Sequence, residues 1–108
     1  MEGCTSVEGR VYSVFWSSDG DLHIALYPEN KSVMNVFNLV HAHRTLVVEA
    51  VCDHPPKNAD AQRACAGFRS PIVAPAIGDR IRVIGSYVTD RDGGWREIHP
   101  VSRIEVLR

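Results

Sequence analysis

The chain has 108 residues, 44% of them hydrophobic, enough for one core and too few for two, so residues 1–108 read as a single domain. A charged fraction of 23% and a net charge of −1 argue against bulk disorder and against a nonspecific nucleic-acid coat, which needs clustered Lys and Arg. No apolar run approaches the roughly 20 residues of a membrane-spanning helix. Met1-Glu2-Gly3-Cys4-Thr5-Ser6 lacks the apolar segment of an export signal, and residues 1–5 are expected to be disordered.

Strand alternation begins at Val7. Val7, Val11 and Phe15 share one parity, and Glu8, Arg10, Tyr12 and Trp16 share the other. Gly9 permits the bend that a barrel corner needs. Ser17-Ser18-Asp19-Gly20 is a hairpin turn. The return strand, Asp21 to Tyr27, sends Leu22, Ile24 and Leu26 inward and His23 and Ala25 outward; Pro28 ends it. Residues 29–44 fit either an extension of the meander or an excursion packed on the barrel.

Thr45 to Cys52 is a near-continuous apolar run broken by Glu49 and reads as the third strand. Asn58 caps an expected helix over 58–66, which Gly67 stops. Arg80 to Thr89 is the fourth strand, with Ile81, Val83 and Tyr87 on one side. After the loop Asp90-Arg91-Asp92-Gly93-Gly94, the fifth strand runs from Trp95 to Leu107. Its expected inward set is Ile98, Pro100, Ile104 and Val106, with Glu97, His99, Val101, Arg103 and Glu105 outward. Pro100 inside it implies an edge or a bulge.

The order β-β-β-α-β-β predicts an all-β fold with one short helix, a five-stranded barrel of the OB type. A sandwich usually needs about seven strands. Cys52 and Cys65 fit either a disulfide, worth about 3 kcal/mol in the chain-entropy model, or two buried thiols; Cys4 is left over. A bridge would place the protein outside the cytoplasm, exported or periplasmic.

Three segments together carry a resemblance: Asp19-Gly20-Asp21-Leu22-His23-Ile24, Leu46 to Cys52, and Gly93-Gly94-Trp95-Arg96-Glu97-Ile98-His99-Pro100-Val101. They resemble an uncharacterised family of small bacterial and archaeal OB-like domains with DGDxH and GWxEIHPV motifs, many of them exported. The resemblance extends to the spacing of Cys52 and Cys65. Its relatives often carry a His before the Gly-Trp pair, where this chain has Asp92-Gly93-Gly94, so no role passes to that position. The resemblance implies the fold and carries no activity.

Three constellations point to a ligand. In an OB barrel the second strand neighbours the third, and the third closes against the fifth. Outward His23, Glu49 and His99 then form a stripe flanked by Glu97, a set suited to a divalent transition metal or, more simply, to a polar row that pins register. Asp19, Asp21, Asp90 and Asp92 fill the two loops that flank an OB ligand face; they fit a calcium site or plain turn chemistry. Tyr12, Trp16 and Trp95, with Arg10, Arg82 and Arg103 nearby, fit either base stacking or coverage of the barrel ends.

No nucleophile elbow or phosphate-cradling Gly loop is present in the sequence, so catalysis finds little support there. The expected function is a non-catalytic OB binding module, an extracytoplasmic domain for a protein or a glycan. The alternatives are a single-stranded nucleic-acid binder and a metal-binding domain. No organic cofactor is expected, and a divalent cation is the one cofactor the residues suggest.

Overall fold

The computed structural model describes residues 3–51 and 72–107. Cys52, Cys65 and the helix expected over 58–66 lie outside the described residues. Five strands close into a barrel of the OB type: β1 (Gly3–Trp16), β2 (Leu22–Pro28), β3 (Leu46–Ala50), β4 (Arg80–Thr89) and β5 (Arg96–Val106), in the spatial order β1-β2-β3-β5-β4. Among the described residues no helix is long and apolar enough to cross a membrane.

Alternation builds the core. Leu22, Ile24 and Leu26 of β2, Leu46, Val48 and Ala50 of β3, and Ile81 and Val83 of β4 are buried and meet Val7, Val11 and Ile98 in one cluster. Residues 3–5, expected to be disordered, instead belong to β1 and pair with Gly85, Ser86 and Tyr87.

The strict alternation expected along β1 fails at one point. Val11 faces Leu26 while Ser13 faces Ala25, so Tyr12 is an extra residue, a β-bulge. The bulge reverses the phase of the rest of β1. Val14 packs on the core, and Phe15, expected inside, is 55% exposed on the outer face.

The β4–β5 seam contains two further register shifts, between Ile84 and Gly85 and between Gly85 and Tyr87. Pro100 sits in this irregular stretch, as its missing N–H requires, and the His99–Pro100 peptide is cis. Here too the phase changes: Val101 is buried and Pro100 is exposed, the reverse of the expected parity, and Val106 is exposed as well. Gly85 makes the crowding tolerable, since a Cβ there would stand 2.5 Å from the Pro100 carbonyl oxygen and 2.6 Å from Ile98.

Residues 29–44 form the excursion: a 3₁₀ turn over Lys31–Val33, then the short helix α1 (Val36–His41). Asn35 caps α1 by accepting from the amides of Phe37 and Asn38. Asn38 is fully buried. Its Nδ2 donates to the carbonyls of Thr45 and Arg96, each at 2.9 Å, and its Oδ1 accepts from the amides of Asn35 at 3.0 Å and Arg96 at 2.8 Å. One side chain thereby ties α1 to the starts of β3 and β5. Asn38→Ala strands these partners and is expected to destabilise the fold by about 3 kcal/mol, read as a lower urea midpoint.

Candidate metal centre

The barrel register assembles the outer face of β2, β3 and β5. His23 pairs directly with Glu49 across the antiparallel β2–β3 ladder. The parallel β3–β5 ladder sets Val47 against Glu97 and Val48 against Ile98, which carries His99 up beside Glu49. Since Val48 and Ile98 point into the core, Glu49, Glu97 and His99 face the other way.

Glu49 occupies the centre. One carboxylate oxygen lies 3.5 Å from His23 Nδ1, and the other lies 3.5 Å from His99 Nδ1. His99 Nδ1 also lies 3.2 Å from Oε1 of Glu97, whose second oxygen accepts from the Trp95 indole N–H at 3.2 Å. Glu97 is 3% exposed, and Glu49 is half-buried. Two overlapping sets result, Asp21-His23-Glu49 and Glu49-Glu97-His99, each with donor atoms within 4.8 Å of one another.

The electrostatics stem from burial and from the excess of carboxylates. Desolvation pushes the Glu49 carboxyl up from 4.5 to about 7, helped by Glu97, Asp21 and Asp90 and opposed by His99. The hydrogen bond to Glu97 raises the His99 imidazole above its ordinary value, against burial. His23 is lowered, chiefly by burial, with Asp21 opposing. The cluster therefore combines a His23 whose charged form is disfavoured, a His99 whose charged form is favoured and a central carboxyl that titrates near neutrality. Carboxylates and imidazoles in this arrangement are donors that a divalent ion can take.

Of the four loop aspartates, the structure brings only Asp21 into a donor cluster among the described residues. Asp90 Oδ1 accepts from the amides of Asp92 and Gly93, a local turn bond that folds its own loop. Asp19 and Asp92 are exposed.

The aromatic and basic residues are dispersed. Tyr12 packs on Tyr27 with ring centroids 5.0 Å apart. Trp16 ends β1 and is 42% exposed. Arg10 donates to the Gly78 carbonyl. Arg82 is held between Glu8 and Glu105, and Arg103 also pairs with Glu105. Trp95 lines a cleft together with Phe15 and His23.

Two contributors escape a strand-by-strand reading. Phe15 stacks on the His23 imidazole at 4.7 Å and 5°, and only the bulge at Tyr12 puts it there. The alternation of Trp95, Glu97 and His99 does place them on one side, but nothing in it signals that Glu97 is buried and bonded at both oxygens. No protein-family model matches this chain, and no curated protein matches it.

The pH dependence of stability is a direct check on the crowding. Glu49 binds its proton more tightly when folded, so its contribution is fully present below 4.5 and is lost as the pH rises to about 7. In metal-free protein, Glu49→Gln is expected to remove this loss. The variant should exceed the native chain in stability at pH 8 by on the order of 1 kcal/mol, after allowance for solvent screening. Denaturant titrations at pH 4.5 and pH 8 measure the difference.

Proposed function

We propose that this OB barrel binds one divalent transition-metal ion, zinc being the natural probe, through Glu49 with His23 and His99, which belong to two overlapping donor sets that share Glu49. The observation that carries the reading is the position of Glu49, each of whose oxygens faces a different imidazole at 3.5 Å from neighbouring strands. Two imidazoles and a carboxylate are a common three-ligand set for zinc, with a fourth position left open. Glu97 Oε1 lies 3.2 Å from the same His99 nitrogen and belongs with it to the second donor set. Asp21 flanks the site and adds negative charge. An ion there takes the place of the proton that Glu49 otherwise holds.

The electrostatic setting favours a cation over a phosphate backbone. Around the cluster stand Asp21, Asp90, Glu49 and Glu97, while Arg82 is engaged by Glu8 and Glu105 on another part of the barrel. A second reading, docking on another protein, is favoured by one observation: α1 exposes Val36, Phe37, Leu39 and Val40.

Zinc titration with a thermal readout tests the metal site. One equivalent should bind, and an excess of a hundred times Kd should raise Tm by roughly 10 °C. Affinity should fall as the pH drops from 8 to 6, because Glu49 takes up its proton near 7 and a bound ion competes with it. His99→Ala and Glu49→Gln should lose at least tenfold in affinity, whereas Asp92→Asn should bind as the native chain does. Zinc binding that survives both site substitutions would sink the proposal.

A further inference from the structure

A cleft of about 260 Å³ opens beside the cluster and shares His23 with it. Ala25 of β2 and Val47 of β3, paired across the ladder, line it on the outer face of the sheet. Phe15 and Trp95 contribute rings to its walls, and His43 stands at its rim. The polar atoms available are few, and one of them, the Thr45 hydroxyl, already donates to the Ala42 carbonyl.

Two features show that this space is built. The bulge at Tyr12 turns Phe15 out of the barrel and onto the cleft side of His23. His43 and Arg44 both lie in the left-handed region, at φ 54° and 63°, a conformation that residues other than glycine rarely adopt. The corner is held by the Arg44 amide donating to Asn38 and the Thr45 amide donating to Ala42, each at 2.9 Å.

We infer that the cleft receives a small planar aromatic ligand whose oxygen donor completes the coordination of the ion held by His23, Glu49 and His99. This rests on the metal site proposed above. Apolar side chains beside the rings of Phe15 and Trp95 suit an aromatic ring. Three protein ligands leave the ion a position for a donor from outside. The carboxylates around Glu49 repel an anionic head group until the ion is present, so binding is metal-dependent.

Two hydroxamates with the same metal-binding head separate the cleft from the metal. Benzohydroxamate carries a ring, and acetohydroxamate carries a methyl group. Calorimetry on zinc-loaded protein is expected to show benzohydroxamate binding about tenfold more tightly, the gain from burying the ring. Neither should bind the zinc-free protein detectably. Ala25→Phe fills the cleft and should abolish the tenfold preference while leaving the affinities for zinc and acetohydroxamate unchanged. Val47→Phe serves the same purpose should the first variant fail to fold. Equal affinities for the two compounds, or a preference that survives filling, overturns the cleft and leaves the metal site standing. If zinc itself does not bind, the metal site falls and this inference falls with it.

Discussion

The barrel closes through the short parallel pairing of β3 with β5, and the arrangement of the outer face depends on that pairing. Only Val47 with Glu97 and Val48 with Ile98 are in register there. Parallel pairs are slightly less stable per residue than antiparallel ones, so a contact this short needs support from elsewhere. Asn38 supplies it by bonding to the backbone of Thr45 and Arg96, at the start of each strand. The same side chain holds α1 over this end of the barrel. On its other edge β3 is pinned by five antiparallel pairs to β2, one of them His23 with Glu49. A slip of one residue in β3 would turn Glu49 into the core and Val48 outward, so burial of the core enforces the register of the cluster.

Two parts of the barrel treat their carboxylates differently. Glu8, Glu29 and Glu105 are met by Arg80 and Arg82 in geometries of 2.7 to 3.0 Å. These are exposed or partly exposed pairs, modest in energy, that tie β1, β4 and β5 together. Glu49 and Glu97 meet imidazoles and an indole instead. A guanidinium would have satisfied them permanently. Imidazoles do not offset the burial of the central carboxyl, which is pushed up to about 7.

Much of the barrel is legible in the residues. Leu22, Ile24 and Leu26 announce β2 and place His23 outside, and Ile81 and Val83 do the same service for β4. Outward parity combined with OB strand order is enough to group His23, Glu49 and His99. The alternation misleads where the backbone carries an extra residue. Tyr12 looks like an ordinary outward residue, yet as a bulge it reverses Phe15. Val101 and Pro100 exchange sides at the irregular β4–β5 seam. Asn38 is illegible because a polar residue in an unpatterned segment gives no sign that two distant strands will surround it. Among the aspartates, Asp90 folds its own loop and Asp21 reaches the donors.

X-ray absorption at the zinc edge of the loaded protein tests the metal site most directly, because it reports ligand type without relying on affinity. The expected result is a first shell near 2.0–2.1 Å containing two imidazole nitrogens together with oxygen from Glu49. In His99→Ala one imidazole should disappear from the spectrum. A shell of oxygen alone, or one unchanged by that substitution, would contradict a site built on His23, Glu49 and His99.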